Sequence, residues 1–480
     1  MLFISLEFLI FLPIVFAGYW LLARHLKLQN LFVVAVSYVF YGWWDWRFLI
    51  LIAFTSLWSF LFGLLELKGE ARSLSSKMRL ALSCVINLGI LGYFKYCDFF
   101  VSQAVVVLRQ FGFEPHVGSL NIILPVGISF YTFQALSYTI DVYRRSIKPT
   151  KDPVAFFAFI SFFPQLVAGP IERATNLLPQ FLKPRQFDYP SAVEGCRQML
   201  WGFFKKMVVA DSCAYAANWI LDGSHPQSSI SLWIGMIAFS IQIYGDFSGY
   251  SDIAIGCSKL FGVRLMRNFA YPYFARDIAE FWRRWHISLT TWFRDYLYIP
   301  LGGSRCSTLK KVRNTFAIFL VSGFWHGASW TFVAWGAFHA VCFLPLLVLG
   351  RNRKYVSDTV AEGRRLPSFS EFAAMMTTFL FAVIGWTFFR APDITTAWSW
   401  LSKMVTFCDL SYRQCGIGWA KDMLLPMSAM VCVEWWNRRC DFGCARYPKN
   451  AVFRHLLYWS IMLVIILGVH ARQTFIYFQF

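Results

Sequence analysis

The sequence predicts an all-α, polytopic membrane protein with about eleven membrane-embedded helical segments. Three observations carry that expectation. Only 15% of the 480 residues are charged while 57% are apolar and 19% aromatic, against roughly a quarter charged in a soluble domain. Apolar stretches able to cross a hydrocarbon core, which needs about 20 helical residues, recur along the chain. Lys and Arg gather in alternate loops, as they do on the cytoplasmic side of a bilayer. With a mean hydropathy of +0.49, the composition excludes a secreted disulfide scaffold, a disordered chain and a nucleic-acid binder. The net charge of +19, from 45 Lys+Arg against 26 Asp+Glu, reads as a map of cytoplasmic loops.

Residues 2–23 carry one ionisable side chain, Glu7, with no basic run before them and no small-residue cleavage site after. They read as a retained first span, not a signal peptide. Further apolar segments fall at 28–44, 48–65, 80–108, 119–143, 201–221, 230–254, 315–349, 372–389, 422–436 and 453–470. Arg24 and Lys27 follow the first span and Arg47 the second; Lys68, Arg72, Lys77 and Arg79 follow the third, Arg109 the fourth, and Arg144, Arg145, Lys148 and Lys151 the fifth. This alternation predicts an N-terminus outside.

Residues 263–313 hold ten basic and three acidic side chains, so they are expected in the cytoplasm. Segment 315–349 then has basic loops on both sides. At 1.5 Å per residue it would reach roughly 50 Å, so a hairpin or re-entrant segment broken around Gly323 and Gly327 is expected. Pro125 with Gly127, Pro164 with Gly169 and Pro170, and the run 245–249 (GDFSG) are expected to interrupt other segments, which membranes tolerate where protein surrounds the backbone. No internal or inverted repeat is visible, and one integral domain over 1–480 is expected.

The twelve cysteines are scattered without a paired CxxC frame, including Cys408, Cys415, Cys440 and Cys444, and read as reduced, buried side chains. Among the histidines, His25, His116, His225, His455 and His470 lie at segment ends or in loops, and His339 reads as a satisfied packing histidine on an apolar helix. His326, in FWHGASW (324–330), sits where the chain must turn inside the membrane. An ionisable group there is by default functional, and neutral imidazole is the usual general base for a hydroxyl. Placed on one helix, 276–299 puts Phe281, Trp285, Leu289, Trp292 and Tyr296 in one stripe, with Glu280, Arg284 and Arg294 opposite. That reads as an interfacial amphipathic helix. His286, at the stripe edge near Trp282 and Phe293, is either an inward-facing functional residue or an interfacial anchor. Asp246 and Asp252 are carboxylates within or at the end of a span; whether they orient a histidine, cap a broken helix or touch a ligand stays open.

Five motifs, in order, bring a resemblance. LPVGISFYTFQALSYTIDVYR (124–144), FFPQLVAGPIER (162–173), YGDFSGYSDIAIG (244–256), FWRRWHISLTTWFRDYLYIPLGGSR (281–305) and FWHGASW (324–330) resemble the membrane-bound O-acyltransferases, in particular the bacterial branch of alginate O-acetylation membrane subunits. The resemblance is best over 2–390 and looser over the C-terminal helices of 391–480. It implies tilted helices around a central tunnel, with His326 as the catalytic histidine and His286 as a second important position. Trp325, Arg283, Arg284, Trp285, Asp246 and Ser248 are the candidate lining of that tunnel, the arginines being suited to the phosphates of an acyl carrier or serving only as topology determinants.

By the same likeness no cofactor or metal is bound. The donor is a cytoplasmic acyl thioester, most simply acetyl-CoA. The acetyl group crosses a bacterial inner membrane, and a periplasmic or membrane-anchored SGNH-type acetyltransferase delivers it to a polysaccharide. Transfer of D-alanine from a carrier protein to teichoic acid, a non-catalytic polysaccharide exporter and a scaffolding subunit are the alternatives. The acceptor polymer is not legible.

Overall fold

The computed structural model describes residues 1–67, 73–115, 120–223, 227–407, 409–410, 417–468 and 475–476. His116, His225, His470, Cys408, Cys415, Lys68, Arg72 and the first residue of the 119–143 segment lie outside the described residues. The described residues are helical, with no strand among them. They divide into two compact units, residues 1–192 with 258–265, and residues 193–257 with 266–480.

The first unit holds α1 (Leu6–Leu21), α2 (Leu26–Gly42), α3 (Leu49–Leu67), α4 (Leu74–Gln110), α5 (Ile128–Tyr143), α6 (Pro153–Ser161), α7 (Phe163–Leu166) and α8 (Ala174–Phe181). Helix α5 packs against α3, α4 and α8 and is buried from Ile128 to Val142 except for half-buried Ile140, its Gln134, Ser137 and Thr139 donating to backbone carbonyls. The expected break before it is present: Gly127 has φ 74°, and a Cβ there would meet the Leu166 carbonyl oxygen at 2.5 Å. Asp152 caps α6 by accepting from the Val154 and Ala155 N–H groups, with Pro153 behind it at the first helical position.

The second unit takes α9 (Tyr189–Phe203) from residue 193 on, a π-helical stretch at Phe204–Ala210, α10 (Asp211–Leu221), α11 (Ser229–Leu260) as far as residue 257, α12 (Ile278–Arg284), α13 (Ile287–Phe293), a second π stretch at Arg294–Tyr298, α14 (Thr308–His326), α15 (Trp330–Val348), α16 (Phe369–Arg390), α17 (Ile394–Thr406), α18 (Ile417–Trp436) and α19 (Ala451–Leu467). Segment 315–349 is the expected hairpin. Helices α14 and α15 pack on each other and part at Gly327, with Ser329 capping α15 through the Thr331 N–H. A capping box between Ser368 and Glu371 starts α16.

Among the described residues five helices are long and apolar enough to cross a membrane: Trp46–Leu67, Leu74–Gln110, Ser229–Leu260, Trp330–Val348 and Phe369–Arg390, with shorter apolar helices at Leu6–Leu21, Leu26–Gly42 and Ala451–Leu467. Other expected segments are partly polar inside, notably 201–221, whose π stretch buries Lys205 and Lys206.

Two expectations are corrected. The run 245–249 does not interrupt a segment, since α11 continues through it. Its glycines serve close approach: a Cβ on Gly249 would meet the Gly202 carbonyl oxygen at 2.8 Å, and one on Gly245 the Lys205 carbonyl oxygen at 3.2 Å. Nor is 276–299 one helix. It breaks at Trp285 and His286, because the chain turns there to dock on residues 268–270.

Candidate active site

The break at His286 is built from its neighbours upward. Asp277 caps α12 by accepting from the Glu280 N–H at 2.7 Å. Trp285 is extended and His286 adopts φ 43°, ψ 55°, a left-handed conformation that costs a non-glycine residue about 1–2 kcal/mol. The segment 268–270 holds it: the Ala270 N–H donates to the Arg284 carbonyl at 3.0 Å and the Ile287 N–H to the Asn268 carbonyl at 2.8 Å. Strain held by surrounding contacts in this way is a feature of functional sites. The His286 ring is 1% exposed, edge-on to Phe247 at 4.7 Å and near Trp325 at 6.1 Å. Its Nδ1 lies 3.0 Å from Asn268 Oδ1, and its buried Nε2 has no hydrogen-bond partner among the described residues. Burial, outside the long apolar helices, pushes this imidazole down to about 3, so the ring is neutral.

His326 is positioned by packing instead. It ends α14, its ring against Trp325 at 4.9 Å, Trp335 at 5.1 Å and Phe389 at 5.3 Å. The hairpin closes this tightly because Cβ atoms are missing at its contacts: one on Gly323 would strike the Phe332 carbonyl oxygen, one on Gly336 the Phe319 carbonyl oxygen and one on Gly327 the Phe332 ring. Gly327 itself is extended, so close approach, not backbone conformation, makes glycine necessary.

The two histidines line one cavity of about 60 Å³, walled by Trp282, Trp285, Leu289, Thr290, Phe293, Ile318, Phe319 and Ser322. On that measure a water needs roughly 10–15 Å³, so the space fits a few waters or a small acyl group. Among the described residues no Asp, Glu, Lys or Arg lines it. The arrangement offers two imidazoles and two hydroxyls in an apolar enclosure, the material for proton transfer to and from a hydroxyl.

Of the eight residues singled out from sequence, His326, His286 and Trp285 line this cavity and the Trp325 ring is 4.9 Å from His326 and 6.1 Å from His286. The other four stand elsewhere. Arg283 donates to the Asn352 carbonyl at 2.7 Å and the Tyr355 carbonyl at 3.1 Å, and Arg284 pairs with Glu280 at 2.7 Å. Asp246 pairs with Lys206 at 2.8 Å and accepts the Ile476 N–H at 2.7 Å. Ser248 accepts from Lys205 at 2.9 Å, and Lys205 pairs with Asp252 at 2.6 Å.

Sequence reasoning missed Asn268, Lys205, Lys206 and Glu434. Lys205 and Lys206 inside an apolar segment were a usable signal; Asn268 gave none. His339, expected to be a satisfied packing residue, is fully buried edge-on to Trp282 at 4.9 Å, with neither ring nitrogen hydrogen-bonded among the described residues. Gly385 approaches it so closely that a Cβ at 2.5 Å from its Nε2 would result.

The hairpin, the broken helix and their shared cavity all lie within residues 144–384, which match the membrane-bound O-acyltransferase family. The chain belongs to that family, and it is a multi-pass membrane acyltransferase. It is 41% identical over 398 residues to the probable alginate O-acetylase AlgI of Pseudomonas aeruginosa, covering 83% of this chain and 73% of that one. The corresponding Azotobacter vinelandii protein is 42% identical over 400 residues, 83% of this chain and 77% of that one. The peptidoglycan O-acetyltransferase of Helicobacter pylori is 35% identical over 435 residues, 84% of this chain and 80% of that one.

Proposed function

We propose that this chain, as one integral domain, is an O-acetyltransferase that takes an acetyl group from a cytoplasmic thioester, most simply acetyl-CoA, and passes it to a hydroxyl for O-acetylation of an extracytoplasmic polysaccharide. The observation that carries this reading is the cavity shared by His286 and His326: about 60 Å³ suits a two-carbon acyl group and not a long chain. The family and the relatives, which act on alginate or peptidoglycan by their names, support acetyl as the group and a cell-surface polymer as its destination.

In this reading the hydroxyl oxygen attacks the thioester carbonyl, the new C–O bond forms and the C–S bond breaks. His326 takes the hydroxyl proton and returns it to the departing thiolate. His286 is the second histidine of the site. The apolar wall keeps water from competing for the acyl group. An SGNH-type partner outside the bacterial inner membrane would complete delivery, with the N-terminus of this chain outside.

The test is acyl transfer by the purified protein in proteoliposomes loaded with labelled acetyl-CoA. Acetyl transfer to an external hydroxyl acceptor is expected. Transfer only from a D-alanyl carrier protein, or polymer movement with no acyl transfer, would replace the reading.

A further inference from the structure

The His286 ring carries one proton on two nitrogens, and which nitrogen presents a lone pair to the cavity is fixed by the group behind it. That group is Asn268. Its Oδ1 lies 3.0 Å from His286 Nδ1, accepts from Ser288 Oγ at 2.9 Å and from the Ser288 backbone N–H at 3.3 Å. Its Nδ2 donates to Ser251 Oγ at 3.1 Å. A backbone N–H can only donate, so the atom facing Ser288 is the amide oxygen, and Nδ2 is already spent on Ser251. An oxygen that only accepts requires His286 Nδ1 to donate. The Ser288 hydroxyl, 3.4 Å from Nδ1, is the longer contact and is occupied with Asn268. Nε2, on the opposite edge of the ring, is left bare, buried and without a hydrogen-bond partner among the described residues.

We infer that Asn268 is a positioning residue: it holds His286 in the Nδ1–H tautomer, so that Nε2 offers the cavity a hydrogen-bond acceptor instead of an N–H donor. The same residue braces the strained backbone through the Ile287 N–H at 2.8 Å, so one asparagine sets both the place and the polarity of the ring. This deepens the acyl-transfer reading and rests on it for its consequence. The bare nitrogen is built to receive an O–H or N–H of a substrate, either the acceptor hydroxyl or an amide N–H of the thioester's carrier arm, and to reject a carbonyl oxygen or an anion. Neutral at every working pH by its burial, the ring would keep that polarity throughout turnover.

The test has two arms. The first is independent of activity: nitrogen-15 spectra of histidine-labelled protein in lipid, where the resonance pair lost in His286→Ala belongs to this ring. A protonated Nδ1 with an unprotonated Nε2 is expected, and an Nε2–H would overturn the proposal. The second compares Asn268→Leu, which removes the acceptor at similar volume, with Asn268→Asp, which keeps it.

With unfolding temperatures near that of the native protein, the Leu variant should lose about 100-fold or more in kcat, in line with the cost of a wrong histidine tautomer, and its nitrogen-15 pair should change. The Asp variant should stay within about tenfold of native. A folded Leu variant with native kcat, or an Asp variant as impaired as Leu, would overturn the proposal. A rise in KM for the acceptor or for the thioester identifies which substrate supplies the hydrogen. Should the native protein transfer no acyl group at all, the functional reading fails while the spectra still decide the tautomer.

Discussion

Two buried polar regions of the second unit, one where the first π stretch meets α11 and the other the cavity walled by α12, α13 and α14, differ in how their polar groups are served. Around α11, Lys205 and Lys206 meet Asp252, Asp246 and Asp211 within 2.9 Å, and Glu434 receives the Tyr244 hydroxyl at 2.7 Å. Every carboxylate there has an ammonium, hydroxyl or amide partner. Among the described residues no Asp, Glu, Lys or Arg lines the cavity, and the His286 Nε2 has no hydrogen-bond partner. Buried polar groups are mostly satisfied in native proteins, and on the proposed function a substrate hydroxyl or amide would complete the His286 Nε2.

That contrast can be broken by substitution, because the two regions should fail in different currencies. His326→Ala is expected to lower acyl transfer at least about 10³-fold with membrane insertion and unfolding temperature retained; a folded variant that keeps near-native transfer in the liposome assay removes His326 from the chemistry. Lys206→Met, removing the ammonium shared by Asp246 and Asp211, should cost about 3–5 kcal/mol of stability, read from denaturant unfolding in detergent, and a neutral result would mean those charges serve something other than the fold.

His286→Ala should reduce turnover about 100-fold with thioester binding changed far less, measured side by side by kinetics and equilibrium binding. Gly336→Ala, forcing a methyl against the Phe319 carbonyl, should destabilise by about 1–3 kcal/mol and lower activity through the displaced His326; unchanged melting and turnover would show that the hairpin relaxes. Arg283→Ala should cost about 1 kcal/mol and leave transfer within about threefold of native. A loss of donor binding there would return Arg283 to the site.

The sequence exposed those features that leave a local mark. The hairpin at Gly327 followed from charge on both flanks of a segment too long for one span, and His326 from the rarity of an ionisable group inside it. The His286 break left no such mark, because RRWHISLTT has unbroken helical periodicity and no Gly or Pro. What breaks it is Asn268, eighteen residues upstream, and a long-range hydrogen bond has no period to detect. Gly245 and Gly249 misled for the opposite reason. Glycine signals either a bend or a close neighbour, and only the partner helix, with Gly202 facing Gly249, says which. Asp246 and Ser248, tunnel candidates by resemblance, are held by buried lysines forty and forty-three positions earlier.

The π-helical stretch at Phe204–Ala210 places two consecutive lysines where both reach carboxylates, Lys205 to Asp252 and Lys206 to Asp211 and Asp246. Neighbours on a regular helix diverge by about 100°, and a π turn absorbs one extra residue relative to that winding. Chain length is therefore itself a determinant here. Deleting a single residue from this stretch would leave every chemical group nearby intact, yet rewind the helix and swing the downstream residues of α10 onto a different face. Insertions and deletions at this point should be tolerated far less than point changes of equal size.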